Sequence, residues 1–205
     1  SLNAGTVRLT ADHTSAFNGK VNSVSASVAG ASGSTADHSV VSTTSAQVGN
    51  NARINANHVD IDANNRAHKL WWGQSTKAGD AAADADLATW NITSGSGGAL
   101  NAAAGRSDSR VTLNTSAGIG DGANVHVLMP ALGEGSFALD VFNDVIGHDK
   151  VKLDSGGVVA IAATEVRFIA TGNADIVVGR NANITSDLGD ITLGSRAEVD
   201  LDTRA

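Results

Sequence analysis

Carboxylates, histidines and tryptophans are the side chains in this sequence that could do chemistry or make contacts. Asp140, Asp144 and Asp149, with Lys150 and Lys152 beside them, could gather into the kind of acid cluster that cleaves polysaccharides. In such enzymes two carboxylates at a set distance share the acid and base work. Asp60 with Asp62, and Asp200 with Asp202, stand two residues apart, which on a strand puts both acids of a pair on one face. Opposite a buried face, that pattern describes a solvated row. The histidines His13, His38, His58, His68, His126 and His148 follow no metal-ligand spacing and read as loop or solvent-facing residues. Gly118-Ile-Gly-Asp-Gly-Ala-Asn124 has the flavour of a calcium β-roll. A calcium ion takes six or more oxygens, however, and one imperfect copy does not supply them. Calcium is thus the one cofactor weighed, and the motif reads as a structural corner. No Gly-x-Ser-x-Gly elbow or phosphate-binding Gly-Lys-Ser/Thr loop occurs, and zero Cys excludes thiol chemistry. No residue is assigned a catalytic, cofactor or metal role. Trp71, Trp72 and Trp90 form the candidate contact surface, because flat aromatic faces bind sugars and partner proteins. The alternative is that they fold over the chain and seal its side.

The elements around these residues are organised by repetition. Val48-Gly-Asn-Asn-Ala-Arg-Ile54 returns as Ile119-Gly-Asp-Gly-Ala-Asn-Val125 and as Val178-Gly-Arg-Asn-Ala-Asn-Ile184. Val and Ile suit a pleated, half-buried surface, and Gly and Asn tolerate the φ > 0 of tight turns. Each copy therefore predicts strand, corner and strand, with Gly49, Gly120 and Gly179 at equivalent, stacked corners. Residues 96–125 match residues 155–184 without a gap, at a spacing of 59 residues. Alternating segments follow each corner: Val59-Asp-Ile-Asp-Ala, Phe137-Ala-Leu-Asp-Val after an insertion around Met129, and Ile191-Thr-Leu. Before Ser155-Gly-Gly stands Val151-Lys-Leu-Asp, and Val7-Arg-Leu-Thr holds a comparable place near the start. The Ser/Ala/Gly tract from Val24 to Ser34 reads as a closely packed strand. Dividing the module by three gives about 20 residues per turn, within the range of solenoid repeats. Eight to ten such turns at about 4.8 Å would form a rod of roughly 40–50 Å.

Composition agrees with a thin coil. Hydrophobic residues make up 41 % of the chain but aromatics only 3 %, so the core must be narrow and filled by small and branched side chains. A net charge of −7 argues against binding nucleic acid, and no run reaches the roughly 18 apolar residues of a membrane span. The expectation is all-β: a single parallel β-solenoid over residues 1–205. One loop or helical excursion, 69–95, leaves the coil. The chain opens on Ser1-Leu-Asn without an initiator Met or signal peptide, as a mature product or an excised piece would. Neither terminus carries an evident cap, which predicts end-to-end association with itself or with neighbouring repeats of a longer chain.

The corner string Val48–Ala56, Asp149-Lys-Val-Lys-Leu-Asp-Ser-Gly-Gly157 and Gly189-Asp-Ile-Thr-Leu-Gly-Ser-Arg-Ala197 resemble repeats of very large secreted bacterial proteins. These are the leukotoxin-type filamentous adhesins and, more distantly, filamentous haemagglutinin-like exoproteins. The resemblance covers most of the chain outside 69–95. It implies a right-handed parallel β-helix, an extracellular or bacterial cell-surface location, and a role as an adhesive or structural fibre. Host or neighbouring-cell surfaces and glycans would be the partners. The competing class is a carbohydrate-active β-helix enzyme, a polysaccharide lyase or hydrolase.

Overall fold

The computed structural model describes residues 1–70 and 91–205. Among them run eleven strands: β1 (Leu2–Phe17), β2 (Val21–Ala26), β3 (Ala29–Val48), β4 (Arg53–Lys69), β5 (Ile92–Gly97), β6 (Leu100–Ile119), β7 (Asn124–Val127), β8 (Gly135–Gly156), β9 (Val159–Val178), β10 (Asn183–Ser186) and β11 (Gly189–Arg204). Every pairing is parallel, and no strand pairs with its neighbour in sequence. Parallel pairing without hairpins requires the chain to circle back before each new contact. The chain is therefore a parallel β-helix.

Three faces follow from the register. On the first, β1, β4, β7 with the start of β8, and β10 with β11 stack in four layers. On the second, β2, β5 and residues 151–156 of β8 form three layers. The third stacks β3, β6 and β9. The Val24–Ser34 tract supplies the second half of β2 and the start of β3, with only a bend between them. Phe137 pairs with Val59 and with Ile191, so the three segments that follow the corners share one ladder. The insertion around Met129 shows as a register offset that rises from 71 residues at Asn55–His126 to 78 at His58–Ser136. Val7, by contrast, pairs with Val59 on the first face, whereas Val151 pairs with Ile92 on the second. The two are not equivalent.

The turn length differs from the expected 20 residues. Successive layers are offset by 52 residues at Arg8–Asp60 and by 59 at Thr112–Thr171. The 59-residue module is thus one turn, and the pieces of about 20 residues are its sides. The period was legible but the closure was not, because a side ending in a corner has the same pattern as a short turn. Four layers at about 4.8 Å make a stack of only about 15 Å. The boundaries of the excursion also move inward. Lys69 is the last residue of β4, and Ile92 to Gly95 lie in β5. The rest of the loop or helical excursion, residues 71–90, lies outside the described residues.

Side chains alternate in and out along these strands, as period two demands. In β4, Val59, Ile61, Ala63 and Ala67 are buried, while Asp60, Asp62 and Asn64 face outward. One apolar cluster packs Val59, Ile61, Phe137 and Leu139 against Ala46, Ala117 and Ile119 across the coil. A second gathers Ala67, Val111, Leu113 and Val145. The small Ala side chains let opposite faces approach, so the core is narrow. Between the clusters lies a polar band. Ser42 donates to Asn65 Oδ1 at 2.8 Å, and Asn143 Nδ2 donates to the Asn173 carbonyl at 2.8 Å. The last layer is half-open: Leu193 is 50 % exposed, whereas its register partner Leu139 is fully buried. Urea unfolding should separate the pair. Leu139→Ala is expected to cost about 2–5 kcal/mol, and Leu193→Ala about 1 kcal/mol or less, because half of its area is already wet.

Candidate functional site

Gly49, Gly120 and Gly179 lie directly over one another at the junction of the third and first faces. The Gly120 amide donates to the Val48 carbonyl at 2.8 Å, and the Gly179 amide to the Ile119 carbonyl at 2.8 Å. Each corner closes by a three-residue hydrogen bond, from Ala52, Ala123 and Ala182 back to Gly49, Gly120 and Gly179. The positive φ falls two residues after each of these glycines, at Asn51 (55°), Gly122 (66°) and Asn181 (54°). A turn with φ > 0 at its third position takes Gly or Asn there. The leading glycine serves a different need, close approach between layers. A Cβ at Gly120 would lie 2.7 Å from the Asn50 backbone nitrogen, and one at Gly179 would lie 2.5 Å from that of Asp121. At Gly49 it would meet nothing within 4 Å. Gly120→Ala and Gly179→Ala should therefore each destabilise by about 1–3 kcal/mol. Gly49→Ala should stay within about 0.5 kcal/mol of the parent in chemical denaturation.

Asp121, the residue that suggested calcium, is already engaged. Its Oδ1 accepts the Arg180 backbone amide at 2.7 Å, and Asn50 Oδ1 likewise accepts that of Asp121 at 2.9 Å. These side chains cap the next corner. Among the described residues, no group of three or more His, Asp or Glu could hold a metal ion.

Beside the corner stack, the outer side of the first face carries a polar groove of about 470 Å³. Asn3, Asn55, His126 and Thr185 form one row up the layers, and Arg53, Asn124 and Asn183 form the next. Asn55 Nδ2 donates to Asn3 Oδ1 at 2.7 Å. His126 Nε2 lies 2.7 Å from Asp187 Oδ1, and this hydrogen bond holds the Asp187 carboxyl below the usual carboxylate range. Rows of amides, a hydroxyl and a guanidinium suit an extended ligand rich in hydroxyls. Sequence reasoning missed this groove because its members come from four segments, each an ordinary outward strand position.

The acids that could have gathered into a catalytic cluster do not converge. Asp140 and Asp144 face outward, and Asp144 Oδ2 lies 2.9 Å from His68 Nε2. Asp149 points into the coil, where its Oδ2 meets Lys69 Nζ, and both side chains are fully buried. Lys69 Nζ also donates to Ser109 Oγ at 2.8 Å and to Ser107 Oγ at 3.0 Å. Burial lowers the Lys69 pKa, and Asp149 opposes that shift. His38 lies alongside, its ring 5.7 Å from that of Phe17. Its pKa is lowered by burial first and then by the charge of Lys69. Removing either member of the Lys69–Asp149 pair would leave the other charge stranded inside. The inward phase of Ile61, Ala63, Asn65 and Ala67 does continue to Lys69. Nothing local, however, marks Asp149, 80 residues away, as its partner.

Asp60 and Asp62 form the outward row that their spacing predicts, and Arg8 binds Asp60 at 2.5 Å. Asp62 stacks on Asp140. Partial burial raises the Asp62 pKa, and the charges of Asp60 and Asp140 add to the rise. The folded state thus binds this proton more readily than the unfolded chain, and stability falls as pH rises through the carboxylate range. Asp62→Asn should stabilise the fold at neutral pH by no more than about 0.5 kcal/mol at so open a site, read as a small rise in melting temperature. The gain should vanish near about pH 3, where the parent carboxyl is protonated in both states. Trp71, Trp72 and Trp90 lie outside the described residues. Comparison with family models, curated proteins and solved structures finds no match for this chain.

Proposed function

We propose that this chain is a structural and adhesive segment of a long fibre at the bacterial surface or outside the cell. The observation that carries this reading is the in-register stack of three corners with parallel strands on every side. Such a coil is held by hydrogen bonds between whole turns, which suits it to bear tension and to hold surface groups at a distance from an anchor. Its partners would be of two kinds. Along the outer face, the row of Asn3, Asn55, His126 and Thr185 would meet glycans of a host or neighbouring cell through hydroxyl-to-amide hydrogen bonds. At the edge, Ile191, Leu193 and Val199 are about half-exposed while their counterparts Phe137, Leu139 and Val145 are buried. A further coil turn, from the same chain or from a neighbouring subunit, fits that edge. A second copy laid on β11 through its own β1 would continue only the four-layer face, leaving a layer unfilled on the two three-layer faces. Coil that resumes at the second face completes the stack.

Pulling on the chain by its termini tests the mechanical half. Rupture should proceed in steps of about 20 nm, the contour length of one turn of about 59 residues. The purified chain, immobilised on beads, should retain acidic or neutral polysaccharide without shortening it. Depolymerisation of either polysaccharide would overturn the reading in favour of a carbohydrate-active β-helix enzyme, with Asp62 and Asp140 as its adjacent carboxylates. Extension without discrete steps would overturn the mechanical role.

A further inference from the structure

We infer that Lys69 and Asp149 condense to an intramolecular amide, an isopeptide cross-link between β4 and β8 in adjacent turns. The inference does not depend on the fibre reading. Lys69 ends β4 in register with Gly147, and Asp149 follows two residues later on β8. The two side chains are fully enclosed and touch through Nζ and Oδ2. Ser107 and Ser109 of β6 close over them, and the Ser107 hydroxyl donates to the same Oδ2. The second carboxylate oxygen, Oδ1, is buried and has no hydrogen-bond partner.

This arrangement holds an amine against a carboxyl group in a site closed to bulk water, which supplies the proximity that an intermolecular condensation lacks. Burial also favours the uncharged amine, the form that can attack. One proton passes along the existing hydrogen bond from Nζ to Oδ2, leaving a neutral amine beside a carboxylic acid. The Nζ lone pair attacks Cγ, and negative charge builds on Oδ1. Oδ2, already hydrogen-bonded by the Ser107 hydroxyl, then departs with its proton and a second proton from the nitrogen, as water. One Nζ–Cγ bond forms and one Cγ–Oδ2 bond breaks, with no oxidant, reductant or co-reactant. The product amide keeps an N–H for Ser109. It also removes two charges from the interior, where each carries a desolvation cost. The bond would tie the turn that holds β4 to the turn that holds β8.

The intact mass of the purified full chain decides the matter. The expected value is the sequence mass less one water. A digest should then contain a branched peptide joining Lys69 to Asp149, with no tryptic cleavage after Lys69, and the chain should migrate faster than Lys69→Arg or Asp149→Ala in a denaturing gel. Because the parent protein carries the decisive measurement, a variant that fails to fold does not obscure the result. The full sequence mass, with Lys69 cleaved normally, overturns the proposal and leaves the pair as a buried salt bridge. A lost water that maps to a succinimide at Asp121-Gly122 overturns it equally.

Discussion

Parallel hydrogen bonding between whole turns is the constraint on which the rest of this structure depends. It places each residue about 4.8 Å from its counterpart in the next layer, so every position must tolerate what stands above and below it. The ladders obey this in detail. Val59, Phe137 and Ile191 stack inside; Thr112 pairs with Thr171, and Ser116 with Ser45, outside. Where charges meet between layers, some pairs are opposite, as in Arg8–Asp60 and Arg106–Glu165, and others alike, as in Asp37–Asp108 and Asp144–Glu198. Asp62 over Asp140 is a like pair too, and it adds to the rise in the Asp62 pKa that burial begins.

The same constraint explains the corners. A turn that must repeat at strand spacing cannot carry a Cβ where the next backbone passes, which is why Gly120 and Gly179 are glycines. The residue two places on takes φ > 0 and is Asn or Gly. Between these two, Asn50 and Asp121 each turn an oxygen toward the amide of the neighbouring corner. Three adjacent positions thus meet three separate demands: close approach, backbone conformation and satisfaction of an otherwise open donor.

Inside the coil the demands change. Opposed strands with alanines at facing positions leave a thin interior, and a thin interior brings buried polar groups within reach of partners on the opposite wall. Asn65 and Asn143 use that reach to bond Ser42 and the Asn173 carbonyl. Lys69 uses it to reach Ser107, Ser109 and Asp149 together. A wider core would leave the ammonium and carboxylate unsatisfied in an apolar medium, which is prohibitively costly.

Much of this was written in the chain itself. The all-β class, the corner motif, the 59-residue period and the outward row of Asp60 and Asp62 follow from local chemistry: β-branched residues at strand ends, Gly and Asn at bends, and alternation along a face. A local pattern carries no information on how many corners close a ring, so one turn was read as three. Which corner position takes φ > 0 is not legible either, because Gly is required both for conformation and for close approach, and the sequence does not distinguish the two. Which distant residues meet was decided only by the tertiary structure. The polar groove draws on four layers, and the Lys69–Asp149 pair joins positions 80 residues apart. Each member is unremarkable in its own strand. Their juxtaposition exists only once the register between turns is set, and that register is a property of the closed coil.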